Sequence, residues 1–290
     1  MNKKKLIIEG KTKEIWQFNE FTDLVEVKSK TAITANDDPA MTREFEKKAK
    51  YANNTTCRVF ESLRRSGIPV AYRCEFSMTS FIAEKCTMIP LEMIARRYAV
   101  GSYLKRKPEY GVEEGLPPQR FEEIKIEFFL KTTHGSLVID KKTLVQGLDY
   151  KKGEEDPLII NPYSDEWVLT HSKKPFGQKG YFLERKVMRK DVLGNINPWH
   201  LQDITKKTFL ILEKTWNKLK YRLIDFKIEF GITHDGEIVV SDVIDNDSWR
   251  LRTSEWEDVS KESYRQGENL TEVEKKYKIV SDLTKKFKLY

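Results

Sequence analysis

The sequence predicts an α+β fold in two lobes, an antiparallel sheet with one helix over residues 1–86 and a larger lobe over residues 87–290. Three observations carry this. Residues 225–230 and similar short segments alternate charged and apolar side chains, the period of a strand with one dry and one polar face. Two longer segments, after Thr42 and after Pro198, instead repeat apolar residues at helical spacing. The strand-like segments of the first 86 residues follow one another closely enough to return antiparallel.

In chain order, residues 6–8 and 14–18 read as strands around the turn Gly10-Lys11-Thr12-Lys13, and residues 25–28 can return beside them. A glycine-containing turn with two lysines can bring N–H groups and ammonium charge onto a polyphosphate. It lacks the spacing of a P-loop, and on its own it is equally an exposed basic turn. From Thr42, an acceptable N-cap, to Ser66, the apolar residues Phe45, Ala49, Ala52, Val59, Phe60 and Leu63 mark a helix closed by Gly67. Residues 69–73 and 80–83 are further strands.

Residues 86–106, CTMIPLEMIARRYAVGSYLKR, carry chemistry. Glu92, Ile94, Arg96 and Tyr98 share a face if extended, and Glu92 and Arg96 are neighbours at i, i+4 if helical, so an acid and a base converge either way. Gly101 and Ser102 follow, with Lys105 and Arg106 beyond. That is the composition of a phosphate cradle, or of a surface ion pair beside a turn.

Residues 124–131 form another strand. Regularity then fails from 132 to 190, where Pro157, Pro162 and Pro175 mark a long excursion with short elements. Pro198 suits the first position of a helix bearing Leu201, Ile204, Phe209, Leu212, Trp216 and Leu219. A capping box of Thr271 and Glu274 opens a last helix, with Val273, Tyr277, Val280 and Leu283 on one face.

Residues 223–250 concentrate charge where a strand expects burial. Asp235 and Gly236 predict a two-residue type I′ turn. That register sets Glu229 opposite Asp242 and Lys227 opposite Ile244. Two carboxylates opposed across a ladder destabilise it, unless a divalent cation such as Mg²⁺ bridges them to the phosphates of a nucleotide. A hairpin whose carboxylates face water is the alternative.

Composition narrows the function classes. At 39% hydrophobic residues the chain can bury a sizeable core, and it contains no apolar run of membrane-spanning length. Its first ten residues hold too few apolar side chains for a signal peptide, so a cytoplasmic protein without membrane association is expected. Cys57, Cys74 and Cys86 are odd in number and lack metal spacing, as reduced structural thiols would be. The four histidines form no zinc pattern. A net charge of +7, from 52 basic and 45 acidic residues, is spread thinly, so small phosphorylated substrates are expected rather than nucleic acid.

Taken together these segments resemble SAICAR synthetase, the ligase of purine biosynthesis, and in particular the version forming half of the animal bifunctional purine enzyme. The likeness spans nearly the whole chain. It rests on residues 9–14, 33–35, 88–90 with Glu92, 96–102, 129–131, Asp156-Pro157, 225–231 and 242–251. It implies an antiparallel ATP-binding lobe and a larger α/β lobe with nucleotide in the cleft between them. The implied reaction condenses carboxyaminoimidazole ribonucleotide (CAIR) with L-aspartate, releasing ADP and phosphate, with Mg²⁺ assisting.

By the same resemblance Lys11, Lys13 and Lys131 serve ATP, while Glu229 and Asp242 hold Mg²⁺. Arg96, Ser102 and Arg250 bind the ribotide phosphate. Glu92, Asp225, Lys227 and Asp247 line the pocket for CAIR and aspartate, with Asp225 and Lys227 closest to the chemistry. Lys261, Tyr264 and Arg265 match a segment that closes over substrate. The chain departs from the pattern at Lys47, where a glycine is usual, and at Arg252, where tryptophan is usual. Thr132 and Thr133 stand in place of aspartates, ahead of a long insertion.

Lysines on phosphates and two acidic metal ligands also suit a kinase-like phosphotransferase, and a non-catalytic nucleotide- or ribotide-binding homologue is a further alternative. A homo-oligomer is compatible with the chain. No second catalytic domain is evident, so a carboxylase activity would come from another chain.

Overall fold

The computed structural model describes residues 4–10, 12–34, 42–45, 47–139, 141–148, 156–265, 267 and 269–289. The chain opens with β1 (Lys4–Glu9), β2 (Lys13–Phe18), β3 (Leu24–Ser29), β4 (Ala32–Thr34) and β5 (Thr42–Glu44), then α1 (Lys48–Arg65). β6 (Tyr72–Ser77), β7 (Ser80–Glu84), β8 (Thr87–Tyr98), α2 (Ser102–Arg106) and β9 (Arg120–Leu130) follow. Five short strands come next: β10 (Leu137–Ile139), β11 (Lys142–Val145), β12 (Leu158–Ile159), β13 (Glu166–Thr170) and β14 (Phe182–Met188). The remainder is α3 (Arg189–Leu193), α4 (Pro198–Lys218), β15 (Arg222–Ile232), β16 (Ile238–Ser241), β17 (Trp249–Arg252), α5 (Glu262–Arg265) and α6 (Leu270–Thr284). This is an α+β chain, as its patterning predicts.

Two compact units form. The first comprises Met1–Met88, Leu210–Leu223 and Gly231–Tyr290, and the second Ile89–Phe209 with Ile224–Phe230. Leu210–Leu223 and Gly231–Tyr290 thus group with the N-terminal sheet.

In the first unit the strands run in the order β1-β2-β3-β7-β6, all neighbours antiparallel. Helix α1 buries Ala49, Ala52, Val59, Phe60 and Leu63, and Phe60 meets Tyr72 and Phe81 of the sheet at 5.9 and 6.2 Å between ring centres. A Schellman closure ends the helix: Ile68 N–H donates to Leu63 C=O and Gly67 N–H to Arg64 C=O, with Gly67 at φ +79°. Its start differs from the sequence reading. Thr42–Glu44 pairs with Ala32–Thr34 as a strand, and Phe45 is drawn into a cluster with Ile33, Tyr264, Val273 and Tyr277, so the helix begins only at Lys48. Tertiary burial of Phe45 overrides the cap signal at Thr42.

Helix α6 joins this cluster through Val273 and Tyr277, and Asn54 of α1 donates to both the carbonyl and the hydroxyl of Ser281 at 2.9 Å. Its cap is Asn269, whose side chain accepts from Glu272 N–H at 3.0 Å, two residues before the predicted Thr271.

The second unit holds a sheet in the order β14-β13-β12-β9-β8-β15. The excursion holds short strands between irregular stretches, as its pattern predicts. Leu158 and Ile159 pair with Phe129 and Phe128, and β13 and β14 continue outward in antiparallel steps. Phe209, in the first part of α4, meets Phe226 edge-on at 5.4 Å. Among the described residues no helix is long and apolar enough to cross a membrane.

The turn after β15 also departs from expectation. Gly236 N–H donates to Thr233 C=O and Thr233 N–H to Glu237 C=O, with Gly236 at φ +83° and Asp235 at an ordinary negative φ. This is a three-residue loop with a glycine bulge, not a type I′ turn. One extra loop residue moves the register by one position from the turn outward. Asp242 lies past the end of β16 with φ +62°, outside the ladder, so the inferred opposition with Glu229 has no basis in the turn.

Candidate active site

Strand β15 supplies the centre of the second unit's charged cluster. Alternation places Asp225, Lys227 and Glu229 on one face and Phe226, Ile228 and Phe230 on the other, which is fully buried. Asp225 and Glu229 are also only 3% exposed, and buried carboxylates demand partners. Lys227 Nζ donates to Glu229 Oε1 at 2.6 Å and to Glu92 Oε1 at 3.3 Å. Lys131 Nζ donates to the two Glu229 oxygens at 2.6 and 2.5 Å. Burial favours a neutral amine at Lys227, but the Glu229 and Glu92 carboxylates outweigh it and hold the ammonium well above the usual lysine range.

Strand geometry decides the ambiguity at Glu92 and Arg96: both lie on one face of β8. They do not serve each other. Arg96 is 2% exposed, with Nε donating to Glu127 Oε2 at 2.7 Å, Nη1 to Asp225 Oδ2 at 2.5 Å and Nη2 to Ser102 Oγ at 3.2 Å. Arg96 and Ser102 are brought together as the phosphate-cradle reading expects.

Two acidic residues of this cluster have no role assigned from the sequence: Glu127, and Asp156 of the Asp156-Pro157 motif. Glu127 lies between Arg96 and Arg106, which override the effect of burial and keep its carboxyl below the usual range. Asp156 accepts from Thr132 through both the backbone N–H, at 2.7 Å, and the hydroxyl, at 3.0 Å. Burial and the Glu92 charge push the Asp156 carboxyl up to about 7, against the Thr132 hydrogen bonds and Lys131. Thr132, which replaces a usual aspartate, is therefore a donor to Asp156. The available signal for Glu127 was a lone acid in the strand IKIEFFLK.

The first unit holds a second cluster. Asp247 sits in the turn after β16, its N–H donating to Asp245 Oδ1 at 2.8 Å. Its carboxylate faces Lys48 at 3.4 Å and Lys261 at 3.3 Å and accepts from the Tyr277 hydroxyl. Burial opposes ionisation of Asp247, but Lys261, Lys48 and Tyr277 prevail and hold its carboxyl far below the usual range. Asp245, enclosed beside that charge, is pushed up to about 6 by burial and Asp247. Lys13 pairs with Asp242, and Arg250 Nε donates to Glu262 Oε2 at 3.2 Å.

The departures find local partners here as well. Lys47 faces Glu274 at 3.5 Å and Arg252 pairs with Asp258. Lys11 and the Arg265 side chain lie outside the described residues. Tyr264 belongs to the cluster under α6. The predicted residues thus form one group within the second unit (Glu92, Arg96, Ser102, Lys131, Asp225, Lys227, Glu229) and further ion pairs within the first (Lys13, Asp242, Asp247, Arg250).

Chemically, the second unit presents ammonium and guanidinium groups already oriented by carboxylates, a preorganised arrangement for receiving phosphate or carboxylate oxygens. Among the described residues no three His, Cys, Asp or Glu side chains gather as a metal site. Glu229 in the second unit and Asp242 in the first are each a hard oxygen donor of the kind that Mg²⁺ takes.

The model of the family described as SAICAR synthetase matches residues 6–152 and 184–283. A probable multifunctional protein ADE2 of Caenorhabditis elegans is 35% identical over 294 residues, covering 97% of this chain and 58% of that protein. The chain thus spans little more than half of that relative. A phosphoribosylaminoimidazole-succinocarboxamide synthase of Herpetosiphon aurantiacus is 31% identical, covering 97% of this chain and 98% of its own. Among solved structures, a type-2 SAICAR synthetase in complex with ADP superposes with a TM-score of 0.70 at 24% identity, over 96% of both chains. At that identity the likeness speaks for the fold.

Proposed function

The chain belongs to the SAICAR synthetase family, and from that premise we propose that it is an ATP-dependent ligase joining CAIR and L-aspartate to give SAICAR, ADP and phosphate. The carrying observation is the β15 face, where Asp225, Lys227 and Glu229 stand in sequence and recruit Arg96, Glu92 and Lys131. These are the positions that the family resemblance assigns to substrate and nucleotide, held in fixed orientation before ligand arrives.

A carboxylate is a poor electrophile. Transfer of the γ-phosphoryl group to the CAIR carboxylate gives an acyl phosphate, and attack by the aspartate amine then forms the amide and expels phosphate. Lys11, Lys13 and Lys131 neutralise the ATP phosphates, Arg96, Ser102 and Arg250 orient the ribotide, and Lys227 pairs with a substrate carboxylate. Asp247, kept ionised by Lys48 and Lys261, belongs to the pocket for CAIR and aspartate. Asp156, whose proton affinity lies near neutrality, suits acceptance of the proton released when the amine attacks.

Glu229 and Asp242 would hold Mg²⁺, which supplies charge neutralisation at the phosphates. Both carboxylates are held by lysines here, Glu229 by Lys131 and Lys227 and Asp242 by Lys13. Lysines drawn to the ATP phosphates would leave carboxylate oxygens for the cation.

The test is incubation with CAIR, aspartate and MgATP while following SAICAR and ADP. One ADP per SAICAR is expected, with no ADP beyond a single equivalent of enzyme when aspartate is withheld. Absence of SAICAR from folded protein at saturating substrates overturns the proposal, and a stable phosphorylated ribotide released over many turnovers without aspartate would indicate a kinase instead.

A further inference from the structure

Glu127 is enclosed by two guanidinium groups. Its Oε2 accepts from Arg96 Nε at 2.7 Å, and its Oε1 accepts from Arg106 Nη2. Arg106 is itself anchored: 5% exposed, it donates through Nη1 to the Ser172 carbonyl at 2.5 Å and lies over the rings of Tyr103 and Phe129 at 5.9 and 5.6 Å. Ser172 belongs to the stretch 153–183 that the family model leaves unmatched. A guanidinium carries five N–H donors in a planar fork, so fixing two edges fixes the third. With Nε on Glu127 and Nη1 on Asp225, the remaining Nη2 edge of Arg96 is directed to Ser102 Oγ.

We propose that Glu127 is a positioning residue for the ribotide phosphate: it locks the Arg96 fork so that Nη2 and the Ser102 hydroxyl converge on one oxyanion, with Arg106 as the fixed post that holds Glu127 in turn. This rests on the reading of Arg96 and Ser102 as phosphate ligands. Glu127 reaches the ligand only through Arg96. Simple electrostatics predicts the opposite effect of removing its charge, because a phosphate should bind more tightly to a more positive cluster. The two ideas therefore differ in sign.

The experiment compares Glu127→Gln, Glu127→Asp and Arg96→Lys by steady-state kinetics, with KM measured separately for CAIR, ATP and aspartate, and thermal midpoints measured in parallel. Glu127→Gln should raise KM for CAIR by about ten- to hundredfold, the usual consequence of a misplaced orienting group, with KM for ATP and aspartate within about twofold. Weakened competition by inorganic phosphate against CAIR should accompany it. Glu127→Asp keeps the charge on a shorter stem and should show the same selective rise, smaller in size; it carries the test if the glutamine variant does not fold.

A lower KM for CAIR, or a fall in stability with all three KM values unchanged, overturns the positioning role. An unchanged KM for CAIR in Arg96→Lys would show that the phosphate reading itself had failed. A rise in Arg96→Lys without one in either Glu127 variant would refute only the part assigned to Glu127.

Discussion

Lys227 donates to Glu229 across 2.6 Å, two positions along the same face of one strand. Glu229 is thus a buried acid already neutralised by its own neighbours, Lys227 and Lys131, and not a carboxylate left in conflict with another. The sign of a charge-removing substitution changes with it. Glu229→Gln leaves two ammonium groups short of a partner and should destabilise the protein by about 1–3 kcal/mol, measured by urea unfolding. An increase in stability would restore the picture of two repelling carboxylates.

The proposed Mg²⁺ ligands, Glu229 and Asp242, make metal dependence testable. Chelation with EDTA should abolish SAICAR formation and added Mg²⁺ should restore it, while Asp242→Asn should lower kcat by at least about a hundredfold. Turnover unaffected by chelation would remove the metal role from both residues.

The Asp156 carboxyl, at about 7 in the folded chain, exceeds the value of about 3.9 that an unfolded aspartate has. Between those values the folded state binds more protons, so this group's favourable contribution is present at low pH and is lost as pH rises through about 7. Asp156→Asn should remove that loss. Its stability relative to the parent should climb by up to about 1.4 kcal/mol per pH unit across that window and level off above it, as read from denaturant midpoints at several pH values. A difference that stays flat with pH would place the Asp156 carboxyl at an ordinary value.

Tyr277→Phe removes one hydroxyl that donates to the charged Asp247. A loss of about 1.5–3 kcal/mol is expected, with a larger KM for aspartate or CAIR and little change for ATP. Equal changes in all three would assign Tyr277 to folding alone.

A Cβ on Gly231 would stand 2.5 Å from Cys86 Cβ. Gly231→Ala should therefore cost about 1–3 kcal/mol. Adding Cys86→Ala should not relieve it, since the offending Cβ remains, whereas Cys86→Gly should. Relief by the alanine would locate the clash at the thiol instead.

Much of this was legible in the chain. Alternation at 225–230 placed Asp225, Lys227 and Glu229 on one strand face, because a period of two allows no other outcome once a strand forms, whereas at Glu92 and Arg96 the pattern left strand and helix open and only the fold decides. The helices after Lys48 and Pro198 were visible in their apolar spacing. Boundaries were less so: Thr42 and Thr271 both carry cap signals, yet burial of Phe45 and the Asn269 cap decide the starts. The turn at Asp235-Gly236 contains the expected glycine, but nothing local distinguishes a two-residue loop from a three-residue one. Glu127 and Asp156 carry no role in the sequence, although Asp156 belongs to a recognised motif, because their importance lies in partners, Arg106 and Thr132, that no spacing rule connects to them. The strands between 158 and 188 are short and interrupted by proline, so their pairing is set by the open edge of β9 more than by their own pattern.

The contact between Asn54 and Ser281 links residues 227 positions apart. While the chain is being made, the early strands and α1 are complete long before the helix that covers Ile33 and Phe45 exists. During that interval Ile33 and Phe45 lack the cover that Val273 and Tyr277 provide. Loop closure over such a distance is slow, and the cluster holding Ile33 and Phe45 cannot close until Val273 and Tyr277 have been made. The second unit is complete at Phe230, ahead of α6, so its own strands can pair before that cluster closes.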